Sequence, residues 1–343
     1  MNRMHWLDAL SAKLVAARRP RFFEDGWGSS ALLEKLTRAP HGFAFPELHD
    51  VAMSPPRREG HLLVQEGRFP SPAAVGSLPE ACQQARFQLL LPHAAGPLPP
   101  VCVFLASSGD EGFGLRRFIA GKLARSGVGA LLLENPYYGA RRPPGQVGPA
   151  VRSVVDLMLM FRATAVEATA LLGWLLARGH PKVGISGYSM GGSVAAYAAA
   201  MFPLPVAVIP LAVADSASPV FTEGVLSAVP DWEALGRPLG SPGAARQRLA
   251  EVLSAVSTTA LPPLSQPRRA ILMAARQDGF VPASSTLRLL KHWRGAELRY
   301  LSGGHLSAFV TGRDFIVRTI IEAFSRIEPL QIPSEEEPPP GPG

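Results

Sequence analysis

Only two cysteines, Cys82 and Cys102, occur in 343 residues. That is too few for a disulfide framework, and Cys102 lies inside an apolar run where a thiol serves as a small core side chain. No grouping of His, Cys and acidic residues at ligand spacing stands out, so neither a metal nor a cofactor is expected. Long hydrophobic runs are also missing. Apolar residues make up 47% of the chain, yet Asp156, Arg162 and Glu167 interrupt the longest apolar segment, which excludes a bilayer span. Asp8 and Lys13 fall where a secretory signal would need its apolar core, so a cytoplasmic protein is expected. The net charge is +7, but the basic residues are dispersed and build no nucleic-acid surface.

What is present is an alternation of strand-like and helix-like segments. Residues 61–65 and 85–91 read as antiparallel strands closed by proline-bearing turns, and 101–105, 130–133, 183–188, 206–212, 269–274 and 297–301 as further strands. Apolar residues recur at helical spacing over 114–125, 151–178, 191–201, 283–293 and 307–326. The alternation predicts an α/β fold with one mostly parallel central sheet and helices on both faces.

The fifth of these strands runs into Gly187-Tyr188-Ser189-Met190-Gly191-Gly192 and an alanine-rich helix follows. Strand, sharp turn and helix around a Gly-x-Ser-x-Gly core is a nucleophile elbow, in which the strained turn lifts the Ser189 hydroxyl clear of its neighbours. A side chain at 187 or 191 would crowd the adjoining strand and helix. Serine is inert at its own pKa and needs a neutral imidazole, itself held in one tautomer by a carboxylate. Asp278 sits in the loop leaving strand 269–274, and His305 follows Ser302-Gly303-Gly304 after the last strand. The order Ser, Asp, His is that of the α/β-hydrolase fold. Asp215, at the exit of strand 206–212, is the alternative acid.

The oxyanion of an acyl-transfer intermediate needs two backbone N–H donors. Met190, at the start of its helix, is one candidate, and Ser107 or Ser108, after strand 101–105, supplies the other. Arg116 and Arg117 are candidate contacts for phosphate or carboxylate, and Tyr137 and Tyr138, in a loop at the carboxyl ends of the strands, are candidate pocket residues. Residues 216–267 break the alternation; rich in Pro, Gly and Ser, they carry Phe221, Leu226, Trp232 and Leu235 in short amphipathic pieces. They read as a small cap between the sixth and seventh of the eight expected strands.

Both ends stand apart from the hydrolase body, expected over 26–329. In residues 1–25, Met4, Leu7, Leu10, Leu14 and Ala17 recur at helical spacing among Arg3, Lys13, Arg18, Arg19 and Arg21. Such a basic amphipathic helix fits three roles: peripheral contact with an anionic membrane, a mitochondrial targeting segment, or packing against the body. Residues 330–343, acidic and proline-rich, read as a disordered tail.

Several segments together resemble the α/β-hydrolase-domain-containing protein 18 family. They are Ala85-Arg86-Phe87-Gln88, Leu132-Leu133-Glu134-Asn135-Pro136-Tyr137-Tyr138-Gly139, the elbow, Val220-Phe221-Thr222-Glu223-Gly224-Val225-Leu226-Ser227 and Tyr300-Leu301-Ser302-Gly303-Gly304-His305. The likeness runs from about Gly26 to Phe324, and the asparagine-proline-double-tyrosine loop is its most specific part. It implies a lid-bearing serine hydrolase with Ser189, Asp278 and His305 in the triad positions, and a link to membrane lipids known for animal members. Asp215 has no counterpart in the family pattern. The chain departs from animal members in lacking a long polar insertion near residues 250–265 and in the Ser-Ser-Gly-Asp of its oxyanion loop.

The expected function is therefore hydrolysis of carboxylic esters, with a lipid-like acyl ester as substrate. Acyl transfer to an alcohol or thiol on the same residues is the alternative, and a catalytically silent partner-binding role is the other.

Overall fold

The apolar runs become the interior of one ten-stranded sheet. The computed structural model describes residues 5–17, 21–38, 45–73, 78–94 and 98–330. The strands are β1 (Ala52–Met53), β2 (Arg57–Glu59), β3 (Leu62–Pro70), β4 (Gln84–Pro92) and β5 (Val101–Leu105), then β6 (Gly129–Leu133), β7 (Val183–Tyr188), β8 (Ala207–Leu211), β9 (Ile271–Ala275) and β10 (Glu297–Leu301). Their order is β1-β3-β4-β6-β5-β7-β8-β9-β10, with β2 on β3. β1 to β4 pair antiparallel and β4 meets β6 antiparallel, whereas β5 to β10 form a parallel set. Parallel strands covered on both faces bury every side chain, and β5 to β9 do so along their whole length, which is why they read as unbroken apolar runs.

Eleven α-helices complete the described chain: α1 (Trp6–Ala16), α2 (Ser30–Thr37), α3 (Gly114–Arg125), α4 (Val154–Ala177), α5 (Met190–Met201) and α6 (Ser218–Thr222), then α7 (Trp232–Gly236), α8 (Pro242–Ser254), α9 (Ala283–His292), α10 (His305–Thr311) and α11 (Arg313–Ser325). Ile119 and Leu123 of α3 pack with Ile316 and Ile320 of α11 on one face of the sheet. Leu171 and Leu175 of α4, Val194 of α5 and Leu289 of α9 fill the other. Each such leucine or isoleucine contributes roughly 1.5–3 kcal/mol by leaving water. α4 is apolar almost all round because it is enclosed almost all round, and a reciprocal cap between Ser153 and Asp156 starts it. Among the described residues no helix is long and apolar enough to cross a membrane.

Two local differences from the sequence expectation have clear causes. β1, only two residues long, and β2, three charged residues after Pro55 and Pro56, are too short to carry an alternation that could announce them. The helix expected over 307–326 is two helices broken at Gly312, where a Cβ would stand 2.5 Å from the Ala308 carbonyl oxygen. The segment between β8 and β9 holds α6, α7 and α8, and Phe221, Leu235, Leu249 and Leu253 pack on Leu157 and Met158 of α4 as a third apolar cluster. Residues 331–343 of the expected tail, and Arg3, Met4, Arg18 and Arg19 of the basic segment, lie outside the described residues.

Candidate active site

β7 delivers Ser189 to the carboxyl edge of the sheet in a backbone conformation of φ 57° and ψ −120°. A non-glycine residue there carries strain on the order of 1–3 kcal/mol, held in place by the surrounding packing. Glycine supplies that packing at three points. A Cβ on Gly187 would lie 2.4 Å from the Gly191 carbonyl oxygen, one on Gly191 2.5 Å from that of Leu105, and one on Gly192 2.5 Å from that of Leu211. The close approach of Gly191 to the end of β5 brings the first turn of α5 against the loop that carries Ser107 and Ser108.

His305 comes to the serine from the start of α10. Its Nε2 lies 2.9 Å from Ser189 Oγ and its Nδ1 2.8 Å from Asp278 Oδ2. Asp278 enters from the loop after β9, where its Oδ1 accepts the backbone N–H groups of Phe280 and Val281 at 2.8 and 2.9 Å. The two carboxylate oxygens are thus divided between holding the loop and holding the ring. Phe280 stacks on the imidazole with ring centroids 4.7 Å apart, and the Tyr188 hydroxyl donates to the His305 carbonyl. Burial, with Asp278 and Asp8 nearby, holds the Tyr188 phenol well above its usual range, so it stays a neutral donor. A hydroxyl, an imidazole and a carboxylate in this line can pass a proton from serine to histidine while the acid fixes the tautomer.

Met190 opens α5, so its amide belongs to the orphan donors of a helix N-terminus. Ser108 Oγ lies 3.3 Å from the Tyr138 hydroxyl, and Asn135 Nδ2 donates to the Ala106 carbonyl at 3.3 Å, so the asparagine-proline-double-tyrosine loop braces the Ser107–Ser108 loop from beneath. A cleft of about 680 Å³ opens over Ser189 and His305, with Phe104, Phe221, Leu226 and Phe280 among its walls. A smaller chamber of about 70 Å³, walled by Met158, Phe161, Leu253 and Val256, reaches Ser189 from the side of α4. Ser108, Ser189, Phe221 and Leu226 belong to both.

Four expected contacts and the alternative acid are corrected by their surroundings. Arg116 borders the cleft, but its guanidinium is spent: it donates to Asp110 at 2.7 Å and to the carbonyls of Phe104, Leu133 and Gly112. Burial raises Asp110 and lowers Arg116 from their ordinary values, each partly offset by the other's charge. Arg117 points to the far side of α3 and pairs with Glu59. Tyr137 is buried, its hydroxyl on Asp156 at 3.0 Å, and Tyr138 is buried against the Ser107–Ser108 loop and is not among the walls of the cleft. Asp215 is held by Arg288 at 2.9 and 3.0 Å and by Ser285, and its carbonyl takes the Thr258 amide, so it ties the end of the inserted segment to α9. Sequence reasoning missed Asp8, which is fully buried and reaches the backbone of both Gly279 and His305.

The model of the family "alpha/beta hydrolase domain containing 18" matches residues 20–243 and 240–326. The chain belongs to this family. Among solved structures, an acetyl xylan esterase from Paenibacillus sp. R4 is similar at 16% identity with a TM-score of 0.56, over 89% of this chain and 98% of that one. Acetyl xylan esterase 1 from Thermoanaerobacterium sp. JW/SL YS485 is similar at 12% identity with a TM-score of 0.54, over 90% and 98%. At these identities the likeness speaks for the α/β-hydrolase fold, which the family and both neighbours share.

Proposed function

We propose that the protein hydrolyses carboxylic esters through an acyl-enzyme on Ser189, and that its ester is lipid-like. The observation that carries the first part is the single imidazole of His305 bridging Ser189 and Asp278 within hydrogen-bond distance of both. Ser189 Oγ attacks the ester carbonyl as His305 Nε2 takes its proton. The oxyanion faces the Met190 amide and that of Ser107 or Ser108. Collapse of the intermediate expels the alkoxide, which His305 protonates, and water then repeats the sequence on the acyl-enzyme.

The second part rests on the walls. Leu115, Val147, Leu306 and Val310 line the cleft yet remain exposed at its rim, a collar of apolar side chains that suits an ester presented from a lipid phase. Helices α6 to α8 act as the cap of this reading, because Phe221 and Leu226 stand over both compartments. Peripheral contact with a membrane belongs to it as well: α1 borders the cleft through Ser11 and leaves Trp6 and Leu10 exposed.

The test is labelling of the purified protein with a fluorophosphonate, wild type against Ser189→Ala, followed by turnover of an acyl-ester series and of phospholipid vesicles. Serine-dependent labelling and faster turnover of long-chain esters are expected. Absence of labelling in folded wild type overturns the acyl-enzyme. A preference for short neutral esters overturns the lipid-like substrate, and diversion of product to an added alcohol would make the protein an acyltransferase.

A further inference from the structure

The loops that carry Asp278 and His305 are joined by a side chain from the other end of the chain. The carboxylate of Asp8, in the first turn of α1, is fully buried. Its Oδ2 accepts the N–H of His305 at 2.7 Å and of Gly279 at 3.0 Å, and its Oδ1 accepts the N–H of Leu306 at 3.2 Å. One carboxylate therefore grips the residue after the acid, the histidine itself and the residue after the histidine. The grip is tight because Gly304 has no side chain: a Cβ there would lie 2.4 Å from His5 Cβ and 2.6 Å from Asp8 Oδ2. His5 adds a backbone bond to the Gln277 carbonyl at 3.2 Å, and Gln277 in turn donates to Gly303 at 3.0 Å.

We propose that Asp8 is a positioning residue for the catalytic pair, setting the distance between the Asp278 loop and the His305 loop. This rests on the ester-hydrolase reading of the same site. The physical case has two parts. A carboxylate accepting three amides forms charge-assisted bonds, roughly twice as strong as neutral ones, so it fixes the positions of those amides closely. Both of the loops that it joins carry a partner in the Ser189–His305–Asp278 line, whose two bonds are 2.9 and 2.8 Å long. Displacement of a reacting group by about 1 Å costs on the order of 100-fold in rate. α1 is thereby read as part of the site, and not only as a surface or targeting helix.

Asp8→Asn keeps the shape but turns one acceptor into a donor facing N–H groups. Wild type, Ser189→Ala, Asp8→Asn and Lys291→Ala, the last an exposed residue on α9, are compared for melting temperature, fluorophosphonate labelling rate, kcat and KM on a soluble ester. Asp8→Asn is expected to remain folded with kcat and labelling rate lowered about 10- to 100-fold and KM within about threefold, while Lys291→Ala matches wild type. Equal kcat in folded Asp8→Asn and wild type overturns the proposal. If Asp8→Asn does not fold, Asp8→Glu replaces it, its extra methylene displacing the loops with the charge retained. Wild-type kcat in folded Asp8→Glu overturns the proposal, as does loss of the fold in both variants, which makes Asp8 a stability residue alone. An unlabelled wild type instead overturns the ester-hydrolase reading.

Discussion

Removing the Glu167 carboxylate is expected to destabilise the fold by about 3–5 kcal/mol, the cost of stranding a buried cation. The partner is Arg141, itself buried, whose two terminal nitrogens donate to Glu167 at 2.8 and 2.6 Å and also to the carbonyls of Glu134 and Cys82 at 2.7 Å each. Ser71 adds a third donor to Glu167 at 2.5 Å. Glu167→Leu leaves the guanidinium its two carbonyls and, as counter-charge, only the Glu134 carboxylate, which is shared with Arg86 and makes no direct bond to Arg141. With an m-value of about 3 kcal/mol/M, the urea midpoint should fall by roughly 1–1.7 M. The double variant Glu167→Leu with Arg141→Met removes both charges and strands only neutral groups, at about 1 kcal/mol each, so it should lose less than either single change. Urea titrations of the four proteins followed by fluorescence give the cycle. A single-variant loss under about 1 kcal/mol, or a double variant equal to the sum of the singles, would refute the reasoning.

Three further outcomes are expected. Gly191→Ala should lower the fluorophosphonate labelling rate on the order of 100-fold, the worth of one oxyanion donor, because its Cβ collides with the end of β5 and moves the Met190 amide; labelling at the wild-type rate would show that the elbow tolerates the shift. Hydrogen bonds from Arg299 and then Arg326 hold Glu322 down at about 2. Its contribution is therefore complete above the ordinary carboxylate range and lost as pH falls toward about 2. The residue is 43% exposed, so Glu322→Gln should cost no more than about 1 kcal/mol at neutral pH and progressively less in acid; a gap that widens in acid would contradict the sign. Burial pushes the Cys82 thiol up to about 11 and the Cys102 thiol higher still. Both should resist an alkylating reagent near pH 8 until the protein unfolds, as intact-mass analysis would read; rapid modification of the native protein would show that they are accessible.

The three side chains that the structure brings into one hydrogen-bonded line, Ser189, His305 and Asp278, are also those with a distinctive local backbone. Ser189 needs glycines on either side, and Asp278 and His305 leave strands through turn-rich loops, so each left a local trace. α3 was equally legible: apolar periodicity predicts a helix over 114–125, and the structure has one over Gly114–Arg125. What failed was direction in space. Arg116 and Arg117 are neighbours in sequence, yet one is sunk against Asp110 and the other is on the outer face with Glu59. Nothing in a helix start reveals which arginine finds a buried acid six residues earlier. Tyr137 and Tyr138, candidate pocket residues from the sequence, are buried with their hydroxyls on Asp156 and Ser108. Asp8 was the most thoroughly hidden, because its three partners are backbone amides, which carry no residue-type signal. Leu10, assigned to the apolar face of that segment, is in fact exposed, while the acid is buried.

The grip of α1 on the histidine loop spans 297 residues of chain and therefore closes one of the longest loops in the molecule. α1 is 11 residues long and exposes Trp6 and Leu10, so detaching it uncovers far less than melting the sheet does. Openings of that kind cost much less free energy than global unfolding. The working enzyme accordingly has two thresholds. Under mild heat or denaturant, turnover should fail while the sheet, its circular dichroism and its protected core amides are still those of the native state, and cooling should restore it without refolding.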